Sequence, residues 1–558
     1  MTQRAQAAAA ILILALLFLI ANRGAYQGYF SDDDLNNIGW TRVLPASTMA
    51  EGLLLPRYYL QHFRPVGHGT FALLANTAGL DFRWYVALLH VLHFATCLAL
   101  WRLLLRLDLP PAAAASGAIF LLFQMTLFDV LWKPMYLFDV WCGLFCVLSL
   151  WAWTSQRFWL SFLAFWLAVK SKEHAVMLAA VIALYEWWTG TRRWIKLAPL
   201  AAVAAIFAIQ AVWMNRSAAP DYTLRPTPAA LTTTIAFYAA RLWILPMLLA
   251  AGWPDWRARW GAATAILLLL PLLALPTRLF AAYLYAPMAG AAITAAVAAS
   301  RTGWRIALLF FCLWLPYNFQ QLRAARRAEL TTAMQNRAYV QGVLEIPPRL
   351  PEIRRFIHDG APPGMKPWGI EGALRIAYQR MDIEVLPADT RGLAAKIADQ
   401  PVALLSWEPL ANALHAVARR PGDPDASYLE TGRFMPVWQL LDGWYEAEST
   451  FRWAKPRATA RLLKPEWARE FEVRVNVGEG FLKEAGPPRL TILVNGQPLG
   501  ETQFTRSGWQ TARFPVPPGA AAPAEIEFRS ALYKPASGDP RTLGIPIGAF
   551  GFLPKEKP

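Results

Sequence analysis

Cysteine is scarce in this chain. Cys97, Cys142, Cys146 and Cys312 are the only four in 558 residues, and the last 246 residues hold none. A disulfide framework is thereby excluded for the second half, which must hold together by its own packed core. Cys142 and Cys146 are four apart, so they share one helix face and read as a packing pair rather than a metal or disulfide site. Charge is thin as well: Asp, Glu, Lys and Arg make up 16% of the chain, against about 25% in ordinary soluble domains. Acids are the rarer sign, 38 to 54, leaving a formal charge of +16. Nucleic acid is not the partner this excess points to. Hydrophobic residues are 56% of the chain and crowd before Pro316, so anionic lipid head groups and lipid phosphates account for the basic charge. The polar half shows no hydrolase triad and no phosphate loop, and its Gly478-Glu479-Gly480 is a turn. No internal repeat relates the halves of the apolar region.

Long apolar runs are plentiful. A spanning helix needs about 20 apolar residues, fewer inside a bundle. The sequence predicts about eleven spans, at 7–22, 84–105, 111–128, 136–154, 156–169, 173–189, 195–214, 231–251, 261–276, 280–299 and 303–319. The first reads as a retained anchor rather than a cleaved leader. With the N-terminus inside, short inner loops collect Arg102, Arg106, Arg157, Arg192, Arg193, Lys196, Arg257, Arg259, Arg301 and Arg305, as the positive-inside rule requires. Arg323, Arg326 and Arg327 run against it. This reading places the polar half of a multi-pass membrane protein on the side away from the cytoplasm.

On that outer face the few charges converge. Phe30–Trp40 reads FSDDDLNNIGW, setting Asp32, Asp33 and Asp34 side by side at the opening of a long loop. Arg57, His62, Arg64 and His68 follow in an aromatic stretch that reads as interfacial helices. Lys133 and Asp139 flank the next outer edge; Lys170, Lys172, Glu173 and His174 sit between two spans; Arg278, Tyr283 and Tyr285 mark another edge. Arg241 is predicted mid-span. Ionisable side chains persist at membrane depth where they face a cavity or a partner. Structural roles compete with functional ones at each position: a helix cap for the Asp run, packing for His90 and His93, snorkelling for Lys170 and Lys172, an interfacial anchor for Arg64.

Residues 320–345 read as helix, and PPRLPEIRRFIHDG as the start of another. MDIEVLPADTRGLAAKIADQPVALLSWEP reads strand, helix, strand. Beyond the linker at 419–427 the period becomes two, with ATARLL, EFEVRVNV, RLTILVNG, TARFPV and EIEFRS as strands of a jelly-roll-like β-sandwich. The expected fold is thus an α-helical polytopic membrane domain at 1–320, a small α/β region at 321–428 and a β-sandwich at 429–558. Trp444, Tyr445, Arg452 and Trp453 form either an aromatic sugar-binding surface or part of the sandwich core.

Four pieces in order resemble the GT-C superfamily of membrane glycosyltransferases, nearest its bacterial dolichyl-phosphate-mannose-type enzymes and the tetratricopeptide-bearing O-mannosyltransferases. They are FSDDDLNNI, FRPVGHGTFALLANTAGLDFRWYVALLHVLHF, LAVKSKEHAVMLAAVIALYE and RLFAAYLYAPMAG. Where that family has Glu-Arg-Tyr, this chain has Ala281-Ala282-Tyr283. The sandwich resembles carbohydrate-binding jelly rolls. The resemblance implies a GT-C-like bundle that transfers a sugar from a polyprenyl-phosphate donor to a hydroxyl of a glycan, lipid or protein, with inversion. It implies Asp33 as base, with Asp34 assisting and Asp32 in reserve. It further implies that Arg64, His68, Lys172, Glu173, Arg241 and Tyr283 bind substrate, and it leaves a divalent metal ion open. Two other classes fit the same composition: a transporter or flippase of lipid-linked sugars, and a non-catalytic envelope scaffold.

Overall fold

The computed structural model describes residues 3–59, 63–214, 223–448, 450–536 and 538–554, and His62 lies outside them. The chain divides into two compact units, Met1–Met334 and Gln335–Pro558.

The first unit is helical throughout. Its helices are α1 (Gln3–Asn22), α2 (Asp32–Thr41), α3 (Ala46–Leu54), α4 (Pro65–Thr77), α5 (Phe82–Arg106), α6 (Pro111–Leu122), α7 (Phe128–Trp132), α8 (Leu137–Thr154), α9 (Phe158–Ser171), α10 (Leu178–Thr189), α11 (Trp194–Met214), α12 (Pro228–Arg241), α13 (Ile244–Ala251), α14 (Trp256–Leu269) and α15 (Tyr285–Thr302). α16 (Trp304–Leu344) runs past the end of the unit. Among the described residues, six helical stretches are long and apolar enough to cross a membrane: Ala8–Gln27, Phe82–Arg106, Pro111–Trp132, Pro134–Thr154, Trp194–Met214 and Ala281–Thr302. The unit is that of a multi-pass membrane protein.

Six of the eleven expected runs coincide with these stretches, and the other five take shorter, bent or longer forms. α9, α10 and α14 are 14, 12 and 14 residues long, too short at about 1.5 Å per residue to cross a hydrocarbon layer of about 30 Å. The run at 231–251 is broken into α12 and α13 with a bend of 79°. Pro246 supplies no amide for the Leu242 carbonyl and its ring crowds it, which favours a bend there; Trp243 takes up the break at φ +59°. Finally, the run at 303–319 is the first part of the much longer α16.

Hydrogen-bonded side chains tie the buried interior together. His93 meets the Tyr285 hydroxyl at 2.9 Å and His90 meets Tyr26 at 3.0 Å, each with a backbone carbonyl on its other nitrogen. They are packed, as their apolar helix suggested. Cys142 and Cys146 are likewise buried. Two buried acids anchor the basic loops: Glu186 holds Arg193, and Asp255 holds Arg257 and Arg301.

In the second unit, strands β1 (Arg355–Asp359), β2 (Glu384–Pro387), β3 (Val402–Glu408) and β4 (Ala413–Arg419) form a sheet of order β2-β1-β3-β4. β1 is parallel to β2 and β3, and β4 is antiparallel. α17 (Pro367–Tyr378) makes the β1-to-β2 crossover and α18 (Leu393–Lys396) precedes β3. Arg355–Asp359 had read as helix. Five residues between prolines and Gly360 are too few to show a period, and pairing on both sides makes them the central strand. The sandwich follows with β5 (Tyr428–Glu430), β6 (Leu440–Glu448), β7 (Phe451–Lys464), β8 (Glu470–Val477), β9 (Arg489–Val494), β10 (Gln497–Gln503), β11 (Gly508–Pro515), β12 (Ala522–Ser530) and β13 (Pro546–Leu553). Their main path is β10-β9-β12-β7-β13-β8-β11. Alternate side chains such as Val473, Val475, Ile526 and Phe528 fill the core.

Gly261 and Gly290 let α14 and α15 cross backbone to backbone. A Cβ on Gly290 would strike the Ala265 amide and the Gly261 carbonyl, which cannot give way. Gly290→Ala should therefore lower stability by about 1–3 kcal/mol. Gly69→Ala, where a Cβ meets nothing within 4 Å, should be neutral or stabilising in its helix. Thermal unfolding of both variants in detergent checks the contrast.

Candidate active site

The acidic triplet divides its labour. Ser31 is the N-cap of α2, and Asp34, three residues on, closes a capping box with it. The Ser31 amide and hydroxyl donate to Asp34 Oδ2 at 2.8 and 2.9 Å. Asp34 is fully buried, and its Oδ1 has no hydrogen-bond partner among the described residues. This differs from the expectation that Asp34 assists a base: it is spent on the helix end and has no face on solvent. Asp33 is the exposed member, and Asp32, half-buried, accepts from the Asp33 amide at 2.8 Å.

α2 packs on α4 and on the turn Pro134–Tyr136 ahead of α8. His68 makes the first of these contacts specific. Its Nδ1 meets the Arg64 amide at 2.9 Å and the Arg64 carbonyl at 3.1 Å, and its Nε2 meets Asn37 Oδ1 at 3.2 Å. The ring is buried, packed among Trp40, Phe63 and Phe138. His68 thus fixes α2 against α4 rather than facing a ligand.

At the N-cap of α4, Arg64 forms a two-pronged pair with Glu173, Nε to Oε1 at 2.8 Å and Nη2 to Oε2 at 3.0 Å. Glu173 follows directly on Lys172, whose ammonium pairs with Asp139 in the first turn of α8. Lys172 and Asp139 are 6% and 2% exposed, so neither charge is relieved by water. The Lys172 ammonium also lies 4.5 Å from the centre of the Tyr283 ring, a favourable cation–π placement. Tyr283 in turn accepts from Arg278 Nε and Nη2 at 3.4 and 3.3 Å. The pairs act on one another: Arg64 and Glu173 lie in the electrostatic field of both Asp139 and Lys172. Tyr136 joins them to the acidic helix, since Asp33, Asp139 and Tyr283 all act on its hydroxyl.

The structure therefore gathers Asp33, Arg64, Lys172, Glu173 and Tyr283 from separate segments. Asp139 and Arg278, which the sequence set among the converging outer charges without a named role, join them, as does Tyr136, which it did not single out. Asp139 had a signal: a carboxylate one turn inside an apolar helix must have a partner. Arg241 stands differently from its expected place. It ends α12 beside the break, exposed, with its guanidinium on the Phe237 carbonyl at 2.8 Å and over the Phe237 ring at 3.8 Å. Lys133 is a brace between Asp129 and Glu329. Among the described residues, no three His, Cys, Asp or Glu side chains converge as a group that could hold a metal ion.

No protein-family model and no curated protein matches the chain. Solved structures with similarity include ArnT from Cupriavidus metallidurans in the apo state, 13% identical, covering 74% of this chain and 98% of that one at a TM-score of 0.47. The same protein bound to undecaprenyl phosphate is 12% identical, with 74% and 97% coverage and a TM-score of 0.44. Arabinofuranosyltransferase AftD from Mycobacteria is 11% identical at a TM-score of 0.42, covering 97% of this chain and 61% of its own. Likeness at that level fixes neither fold nor activity for this chain.

Burial raises the Asp34 pKa to about 7; Asp32 and Asp33 add to the rise and the Ser31 hydrogen bonds oppose it. The folded state thus holds this proton up to about pH 7, the unfolded chain only to the ordinary 3.8. Asp34 favours folding most at low pH, and that advantage is lost as pH rises from the ordinary value to the folded one, about 1.4 kcal/mol per unit. Asp34→Asn removes the dependence. Its unfolding midpoint relative to wild type should rise between about pH 5 and about pH 8, measured by thermal denaturation at both.

Proposed function

We propose that this chain is a membrane glycosyltransferase of the GT-C kind, moving a sugar from a polyprenyl-phosphate-linked donor to an acceptor hydroxyl on the extracytoplasmic side. The observation that carries the reading is the exposed carboxylate of Asp33 placed near a cation-bearing cluster inside an apolar helical unit. Motif order supports it: the acidic, Arg-Pro, Ser-Lys-Glu and Tyr-Leu-Tyr segments, far apart in sequence, supply the clustered side chains.

In this mechanism the acceptor oxygen attacks the anomeric carbon from the face opposite the phosphate. Its proton passes to the Asp33 carboxylate, which needs to be within hydrogen-bond reach. The bond between the anomeric carbon and the phosphate oxygen breaks, its electron pair leaves with the lipid phosphate, and the centre inverts. Positive charge developing on the sugar is oxocarbenium-like. Negative charge growing on the phosphate is met by Lys172 and Arg64, with Arg278 beside them. Arg64 and Lys172 are each held by a carboxylate, and Arg278 lies on the Tyr283 hydroxyl. Asp139 and Glu173 hold the two cations in place; His68 and Asn37 hold the helix that bears Asp33.

Two further parts of the reading concern surroundings. The domain lies in a bacterial inner membrane with the second unit periplasmic, and that unit's sandwich serves as a glycan-binding module. The acceptor is a glycan, lipid or protein hydroxyl.

Transfer of labelled sugar from polyprenyl-phosphate donors by the purified chain tests the base. Asp33→Asn should lower the rate by about 100-fold or more, while Asp34→Asn retains activity. Equal rates for wild type and Asp33→Asn would overturn the assignment.

The buried pair calls for a separate test. Lys172→Met alone strands the Asp139 charge and should cost about 3–5 kcal/mol of stability. Adding Asp139→Leu should restore much of the stability but not transfer. Restored transfer in the double variant would show the pair to be structural only.

A further inference from the structure

A cleft of about 410 Å³ opens on the outer face of the sandwich in the second unit. Along β8, Phe471, Val473, Val475 and Val477 turn into the core, so Arg474 stands on the opposite face. Trp509 of β11, paired with Asn476 two residues beyond Arg474, shares that face. Arg474 lies 4.5 Å over the indole. The ring can lie against β13 because Gly548 is there; a Cβ would run into it. Glu430 enters from β5, beside Ala549 of β13. Glu408 ends β3, and Arg433 and Phe434 come from the turn after β5.

Two properties set this cleft apart from a solvated surface. Trp509 and Phe434 are each 40% exposed, and Phe434 is held at φ +68°, a left-handed conformation that aromatic residues seldom take. Polar groups around them are unspent: among the described residues Arg433, Arg474 and Glu430 have no ion-pair partner, while Glu408 has only His415 at 3.8 Å. Several other arginines of the sandwich are paired, as Arg457 with Glu527, Arg461 with Asp425 and Arg541 with Asp539.

Two guanidiniums and two carboxylates balance in charge, beside two aromatic side chains that are each part-exposed. An ion of either sign gains little there. A sugar chain has the complementary chemistry: C–H faces that lie on an indole, and hydroxyls that both donate and accept. The expected surface of Trp444, Tyr445, Arg452 and Trp453 does not form this feature. Trp444 is in the core on Phe550 and donates to the Thr459 carbonyl at 2.8 Å; Arg452 is buried on Asp359.

We infer that this cleft binds a glycan chain without acting on it, with the exposed part of Trp509 against a sugar ring and Arg433, Arg474, Glu408 and Glu430 around its hydroxyls. The inference deepens the glycan-binding role proposed for the sandwich but does not depend on the transferase reading. Calorimetric titration of the full chain in detergent with tetrasaccharides of mannose, glucose, galactose and arabinose tests it. At least one should bind, and Trp509→Ala should weaken it by about tenfold or more, whereas Trp509→Phe keeps most of the affinity. Arg474→Ala and Glu430→Gln, both at exposed positions, should weaken it with an unchanged unfolding midpoint. Asp33→Asn should bind as wild type does, whether or not it transfers sugar. Absence of binding to all four tetrasaccharides, full binding by Trp509→Ala and Arg474→Ala, or loss of binding in Asp33→Asn would each overturn the inference.

Discussion

The ion pair between Lys172 and Asp139 is the constraint around which the helical unit is organised. Removing two charges from water costs several kcal/mol apiece, and the mutual attraction offsets this only where geometry is good and other polar groups assist. Assistance comes from Tyr283 beneath the ammonium and from the Arg64–Glu173 pair beside it. To bring these together, the end of α9, the start of α8, the N-cap of α4 and the turn before α15 must meet at one level. The shortness of α9 follows from the same demand, for Lys172 and Glu173 end it before it can cross the layer.

Much of this was legible in the sequence, and the reasons are specific. Charges are so sparse in the first 320 residues that each cluster stood out, and Arg64, Lys172 and Glu173 do fall into neighbouring ion pairs. Periodicity also found the sandwich strands, because β7, β8, β9, β11 and β12 alternate cleanly between core and surface. Pairings between remote segments could not be read: nothing local to Asp139 names Lys172. Nor could the roles within the triplet, since Asp32, Asp33 and Asp34 are chemically alike until Ser31 claims one of them. Hydropathy and helix geometry part company at the run 231–251. Pro246 leaves the apolar run unbroken in composition while dividing the helix. β13 escaped notice for the opposite reason: Gly548 and Gly551 weaken its strand pattern, yet it lies mid-path in the sheet.

The second unit repeats one device of the first. Asp359, at the end of β1, pairs with Arg452 of β7, both almost wholly buried, so a charge pair joins the parallel sheet to the sandwich. Arg452 also donates to the Thr431 carbonyl at 2.9 Å, and that residue precedes the turn bearing Arg433 and Phe434. A buried guanidinium thereby sets the position of a surface turn, much as His68 sets that of α2.

Pairing within the helical cluster has a consequence for how any anion arrives. Arg64 and Lys172 are each matched by a carboxylate before a ligand appears, so their fields largely cancel beyond a few ångströms. Long-range electrostatic steering, which raises capture rates where one sign of charge dominates a cleft, has little to work with here. A phosphate carried on a lipid needs no such guidance: two-dimensional diffusion in the bilayer delivers it to the protein's flank. Capture of that kind is insensitive to the salt content of the surrounding water.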